Sequence, residues 1–128
     1  MPRKPSPTLT DGEVRLMNVL WKKRRATVAE VMEALPRSSA IAYNTVQTIL
    51  RILETKGYVG HEQEGRAFVY RPLIEQTAAR RSALTHLVKA LFDGSPSLLV
   101  LNLLEGEQLD AAEAERLKHL IEQAEHAV

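Results

Sequence analysis

Between residues 41 and 56, Asn44, Gln47, Thr48, Arg51 and Thr55 recur at spacings of one, three and four. On a helix turning about 100° per residue they share an arc of about 100°, opposite a stripe of Val46, Ile49, Leu50 and Leu53. The uncovered side is therefore made of amides, hydroxyls and one guanidinium, the groups that read base edges. Asn and Gln pair bidentately with adenine and Arg with guanine, while Thr offers a methyl to thymine or a hydroxyl to phosphate. A helix that merely faces water more often carries Glu and Lys pairs, and this arc has none. Thr45 sits on its flank and Tyr43 at the helix start, both suited to phosphate contacts. Further on, Arg66 is a weaker phosphate candidate and His61 is expected to be solvated.

Catalytic chemistry has little to work with. The chain has no cysteine, which excludes disulfides, thiolate nucleophiles, iron–sulfur clusters and Cys-based metal sites. No Ser/His/Asp order, glycine-rich phosphate loop or pair of buried carboxylates can be picked out. Glu115 with His119 and Glu122 with His126 have a metal-ligand spacing, but an acidic helix produces such pairs by chance. The expectation is a protein that is not an enzyme and has no metal or cofactor.

Three helices must position the polar arc. Thr10-Asp-Gly-Glu13 is a capping box, followed by a stripe of Val14, Met17 and Trp21 that Leu16, Val19 and Leu20 widen. Lys22 to Arg25 place positive charge at the C-terminal end, where the helix dipole favours it. Thr27-Val-Ala-Glu30 repeats the box, and Val28, Val31, Met32 and Leu35 give a second short helix that Pro36 stops. After a polar stretch over 37–39, the third helix runs from about Ile41 to Lys56 and meets Gly57 where a left-handed residue is expected.

The rhythm then changes. Tyr58 to Gln63 and Arg66 to Arg71 read as a β-hairpin around a Glu64-Gly65 turn, with Phe68 and Tyr70 alternating with Ala67, Val69 and Arg71 until Pro72 closes it. Three short helices and a hairpin are the order of a winged helix-turn-helix, whose third helix enters the major groove while the hairpin lies along the backbone. The fold class is thus mainly α with a small β-hairpin. The expected organisation is a flexible arm over 1–8, a winged-helix DNA-binding domain over 9–73, and a helical dimerisation region over 74–128.

That last region carries a second argument. A helix is expected over about 75–92, with Leu84, Leu87, Val88 and Leu91 on one stripe and Gly94 as its stop. Ser95-Pro96 caps the next, where Leu98, Leu99, Val100, Leu101, Leu103 and Leu104 leave only Asn102 polar. Asp110-Ala-Ala-Glu113 opens the last, with Ala114, Leu117, Leu120, Ile121 and Ala124 on one face. A helix apolar all round must be buried all round, and about 45 residues cannot enclose it. A second copy is the natural supplier of the missing surface, so Leu98, Leu99, Leu101, Leu103, Leu117, Leu120 and Ile121 are candidate homodimer contacts.

The net charge of +1 hides a sorting of sign. Residues 1–81 hold 14 Lys and Arg against 8 Asp and Glu, whereas 82–128 hold 3 against 8. A basic front suits a polyanion, and an acidic back would stay off it. With 128 residues, 45% hydrophobic and 26% charged, the chain is a small globular protein. Its longest apolar run, Leu98 to Leu101, is far short of the roughly 20 residues a bilayer crossing needs, and Met1-Pro-Arg-Lys-Pro5 lacks the apolar segment of a leader. No membrane insertion is expected, and the location reads as cytoplasmic.

Three segments together resemble a family: Leu9-Thr-Asp-Gly-Glu-Val-Arg-Leu-Met-Asn-Val-Leu-Trp21, Ala42-Tyr-Asn-Thr-Val-Gln-Thr-Ile-Leu-Arg-Ile-Leu53 with Lys56-Gly57, and Glu64-Gly-Arg-Ala-Phe-Val-Tyr70. In this order they are similar to the penicillinase-repressor (BlaI/MecI-type) family of bacterial winged-helix repressors. The resemblance implies a homodimer that binds a palindromic double-stranded DNA operator, with Thr45, Thr48 and Arg51 at positions that contact DNA. It also implies inactivation by cleavage in the C-terminal part when a membrane-bound sensor protease detects an antibiotic. Leu99-Val-Leu-Asn102 resembles the pattern before that bond, which makes Asn102–Leu103 the candidate, although Leu103 stands where well-studied members have phenylalanine. The family's copper-responsive branch uses C-terminal cysteines and is excluded. Two alternatives are a winged-helix regulator released by a small-molecule ligand without proteolysis, and a winged helix used only to bind protein.

Overall fold

A computed structural model describes residues 8–36, 41–106 and 110–126, with side chains as far as residue 123. Most of the arm over 1–8, the polar stretch over 37–39, and the side chains of Ala124 and His126 lie outside the described residues.

Helix α1 (Asp11–Lys23) starts at the capping box: Thr10 Oγ1 accepts from the Glu13 amide at 3.2 Å, and Glu13 Oε1 accepts from the Thr10 amide at 2.7 Å. It ends at Arg24, left-handed at φ 73°, whose amide donates to the Leu20 carbonyl at 2.7 Å. Strand β1 (Ala26–Thr27) leads directly into α2 (Val28–Ala34), which Thr27 and Glu30 cap in the same reciprocal way. Helix α3 (Tyr43–Lys56) ends at Gly57, where φ is 92°. The Tyr58 amide returns to the Leu53 carbonyl at 2.9 Å, which turns the chain into β2 (Val59–Glu64) and β3 (Ala67–Pro72).

The sheet is antiparallel with order β1-β3-β2, so the expected hairpin is in fact two strands of three. Ala26 and His61 both oppose Tyr70 across β3. The turn also sits one residue later than Glu64-Gly65. Glu64 pairs with Ala67, leaving Gly65 and Arg66 as the two-residue loop, with Gly65 at φ 61°. Simple alternation fails in β3: Val69 and Tyr70, on opposite faces, are both buried, while Phe68, on the face of Tyr70, is exposed. The topology is a winged helix-turn-helix, with the β2–β3 hairpin as the wing.

The core joins Leu16, Met17 and Leu20 of α1, Val28 and Val31 of α2, and Val46, Leu50 and Leu53 of α3, with Tyr58, Val59 and Tyr70 closing it. Val14, expected on the α1 stripe, lies at its edge and is exposed. Glu13 is 3% exposed, and its carboxylate meets Lys56 Nζ at 2.8 Å, fastening the end of α3 to the start of α1. Burial pushes this carboxyl up, but the Lys56 hydrogen bond and the Thr10 amide outweigh burial and hold it below its ordinary value of 4.5.

After Pro72 the chain stays fastened to the head. Trp21 Nε1 donates to the Ile74 carbonyl at 2.8 Å, and the Arg24 guanidinium donates to both Glu75 oxygens at 2.8 and 3.1 Å. These ties, with Ala79 packed into the core, explain why the compact units Met1–His86 and Leu87–Val128 divide inside α4 (Gln76–Leu91), downstream of the 73/74 boundary read from sequence.

In the second unit Gly94, at φ 74°, ends α4 by donating to the Val88 carbonyl at 3.0 Å. Ser95 Oγ then accepts from the Leu98 amide at 3.2 Å to cap α5 (Pro96–Gly106), and Asp110 Oδ1 accepts from Glu113 at 2.8 Å to open α6 (Ala111–His126). Among the described residues no single helix is long and apolar enough to cross a membrane.

Leu50→Ala removes a fully buried side chain at the meeting of three helices and is expected to cost about 2–5 kcal/mol of unfolding free energy, measured by denaturant titration. Because Glu13 titrates lower folded than unfolded, its contribution is complete above pH 4.5 and is lost as pH falls through the folded value. Glu13→Gln should therefore lower stability by about 1–3 kcal/mol at neutral pH and flatten the dependence below pH 4.5, as followed by circular dichroism.

Candidate nucleic-acid interface

Burial of one side of α3 dictates what the other presents. With Val46, Leu50 and Leu53 at 0% exposure, the opposite arc leaves Asn44, Thr48, Arg51 and Thr55 exposed, Thr45 and Tyr43 exposed beside it, and Gln47 half-buried. Two hydroxyls on this face are committed to the helix itself: Thr48 Oγ1 donates to the Asn44 carbonyl at 2.8 Å, and Thr55 Oγ1 to the Arg51 carbonyl at 3.0 Å. Thr48 therefore keeps a methyl group and an accepting oxygen for a ligand. Ala42 precedes α3 and makes no side-chain cap, so no side-chain hydrogen bond satisfies the positive end of the helix dipole there.

A groove of about 260 Å³ brings the two parts of the site together. Tyr43 and Gln47 from α3 line it with Arg66, Ala67 and Phe68 from the wing, over Thr27, Val28 and Ala29 at the start of α2. Asn44, Thr48 and Arg51 lie outside that groove, farther along the open face. Arg66 owes its place to the Gly65 turn, which sets it at the wing tip. Two apolar residues are exposed here without a signal in the sequence: Ile52, 43% exposed on the flank of the arc beside Thr48, and Phe68, 42% exposed in the groove. The broken alternation of β3 hides Phe68 from pattern reading.

Charge is sorted within the head. Arg24 pairs with Glu75, Arg25 with Glu64, Arg71 with Glu62 at 3.8 Å, and Lys56 with Glu13. Among the described residues Arg51 and Arg66 have no carboxylate partner. The guanidiniums of α3 and the wing tip are therefore open to an outside anion, as are the exposed Arg15, Arg80 and Arg81 elsewhere on the head. His61, expected to be solvated, is instead held: its Nδ1 lies 2.8 Å from the Glu54 carboxylate, and its ring stacks at a tilt on Phe68 and Tyr70.

In the second unit the candidate dimer residues remain uncovered by their own chain. Leu98, Leu101, Leu103, Leu117, Leu120 and Ile121 are all exposed and Leu99 is half-buried. Asn102 is exposed, and its Nδ2 donates to the Leu98 carbonyl at 2.9 Å, which uses its polar group within α5. His119 contacts Gln123 at 3.2 Å, and no metal-binding cluster occurs among the described residues.

Comparison with known proteins agrees with this geometry. The family profile described as penicillinase repressor matches residues 9–123. The penicillinase repressor of Bacillus licheniformis is 32% identical over 120 residues, covering 94% of each chain. The methicillin resistance regulatory protein MecI of Staphylococcus aureus is 24% identical over 113 residues, covering 88% of this chain and 92% of that one. Among solved structures, the DNA binding domain of the repressor BlaI matches 59% of this chain and 93% of its own, with 37% identity and a TM-score of 0.53. The profile spans both the winged-helix head and the C-terminal helices, and the chain belongs to the penicillinase-repressor family.

Proposed function

We propose that this chain is a homodimeric, cytoplasmic transcriptional repressor that reads a palindromic operator through α3 and the wing. The observation that carries the reading is the open face of α3, where the Asn44 amide, threonines and an unpaired guanidinium stand exposed opposite the buried Val46, Leu50 and Leu53. Asn44, Gln47, Thr48 and Arg51 take the base edges, while Tyr43, Thr45 and Arg66 take phosphates on either side. The uncapped start of α3 suits a further phosphate oxygen. In this assignment residues 9–73 are the DNA-binding domain and 74–128 the dimerisation region. Two-fold symmetry then demands half-sites about one helical turn apart or a multiple of it.

Release follows from separating the two jobs. Cleavage at Asn102–Leu103 by a sensor protease would divide α5, removing apolar surface that holds the dimer while leaving the reading face whole. A protease takes extended chain, and Asn102 is tied to Leu98 one turn back, so cutting requires local opening of α5. One observation favours the alternative of ligand release. A cavity of about 250 Å³ within the head, lined by Val14, Trp21, Tyr58, Ala79 and Arg80, lies where α4 leaves the core. Cleavage predicts two fragments on induction, ligand release an intact chain.

Selection of bound genomic fragments yields the operator, and titrations on it test the interface. Arg51→Ala should lose about 1–3 kcal/mol on the selected duplex and much less on random sequence. Equal losses on both would reduce Arg51 to a phosphate contact. Affinity should also fall steeply with added salt, and a salt-independent interaction would favour the protein-binding alternative. Assembly is tested separately: sedimentation should give a dimer at micromolar concentration, and Leu101→Glu should shift it toward monomer and weaken operator binding. A wild-type monomer at that concentration would remove the two-fold mechanism.

A further inference from the structure

Arg51 and Glu54 stand three residues apart on α3, a spacing at which opposite charges ordinarily pair along a helix. They do not pair here. Both Glu54 oxygens lie 2.8 Å from Nδ1 of His61, which reaches across from β2. Neutral or charged, the ring can donate from Nδ1–H, so the carboxylate has a partner in either form. The imidazole is kept in place by Phe68, with ring centroids 4.6 Å apart, and by Tyr70 at 5.4 Å. Arg51 and Glu54 both act on this spot: burial pushes the Tyr70 hydroxyl up, Glu54 adds to that and Arg51 opposes it.

We infer that His61 is a positioning residue for the reading face: by holding the Glu54 carboxylate on the wing, it leaves the Arg51 guanidinium open to a base edge or phosphate. The inference rests on the operator reading above and deepens it. Without His61, the carboxylate is free to turn to Arg51 and occupy the donors that DNA needs. An alternative role for the same contact is a simple brace between wing and helix. The two roles differ in the sign of one double substitution. If Glu54 competes for Arg51, neutralising it repairs the loss of His61. If the contact is a brace, breaking it from either side does the same harm, and breaking both repairs nothing.

The test uses the full chain, the duplex selected from genomic DNA and a random duplex of equal length. His61→Ala is expected to weaken binding to the selected duplex about two- to fivefold, the scale of one exposed ion pair. Glu54→Gln should bind at least as well as wild type, and E54Q/H61A should return to wild-type affinity. Glu54→Gln as weak as His61→Ala, or a double variant no better than His61→Ala, marks a brace and overturns the inference. Unchanged binding by His61→Ala overturns it as well. A second readout needs no DNA. In the free protein the Arg51 Nε–H resonance should move in His61→Ala and return in E54Q/H61A, and a resonance that stays in place overturns the inference. Should the wild type show no preference between the duplexes, the operator reading fails, and the resonance still decides whether His61 keeps Glu54 from Arg51.

Discussion

The packing of Val46, Leu50 and Leu53 against α1 and α2 governs what the rest of the head can do. These side chains are wholly excluded from water and cannot be rotated outward without losing about 1.5–3 kcal/mol each. The helix therefore has one permitted orientation about its axis. The polar arc is whatever remains, and its composition becomes a statement about ligands because packing has already claimed the other side. The same burial fixes Gly57 and Tyr58 at the end of α3, and through them the place where the wing begins.

A second constraint is electrostatic. The head carries an excess of basic residues, and the ion pairs of Arg24, Arg25, Arg71 and Lys56 leave that excess unchanged while deciding which cations stay free. The three exposed arginine pairs contribute little to stability, about 0–1 kcal/mol each, whereas Lys56 meets a buried carboxylate. Their consequence for binding is larger, because a paired guanidinium must give up its carboxylate before it takes a phosphate. Arg51 and Arg66 have nothing to give up. Carboxylate placement thus holds back some cations of the head and leaves Arg51 and Arg66 free on the α3 and wing surface.

The helices were legible in sequence because their signals are local. Reciprocal Thr and Glu caps, apolar spacing at three and four, and Gly57 or Pro36 at the ends all act within a few residues. The polar arc of α3 could be read the same way, since one helical period determines which residues oppose Val46 and Leu50. Strand β1 was not legible: two residues long, it overlaps the α2 capping box and becomes a strand only by pairing with β3. The wing turn was displaced by one residue because Gly65 suits either place in a two-residue loop, and the pairing of Glu64 with Ala67 puts it first. The Glu54–His61 contact joins a helix to a strand seven residues on, across a reversal of the chain, and no periodicity reports it. Phe68 and Ile52 were missed for a related reason, since apolar type suggests core while exposure is set by neighbours distant in sequence.

The C-terminal helices pose the reverse problem, in which composition speaks more clearly than local pattern. Helix α5 has no buried residue although six of its seven side chains from Leu98 to Leu104 are apolar. Each Å² of that surface left in water forgoes about 25 cal/mol, and several half-exposed leucines together forgo far more than a small unit can spare. Such a helix has a strong drive to be covered. Covering by a second copy would join two reading faces, and the second half-site would then be met at an effective concentration set by the linkage rather than by free protein. Operator affinity would depend on leucines that never touch DNA, and a single cut in α5 would act on affinity through them while Asn44, Thr48 and Arg51 stayed as they are. The acidic excess of residues 82–128 fits the same division of labour, because it disfavours any competing contact between this region and phosphate.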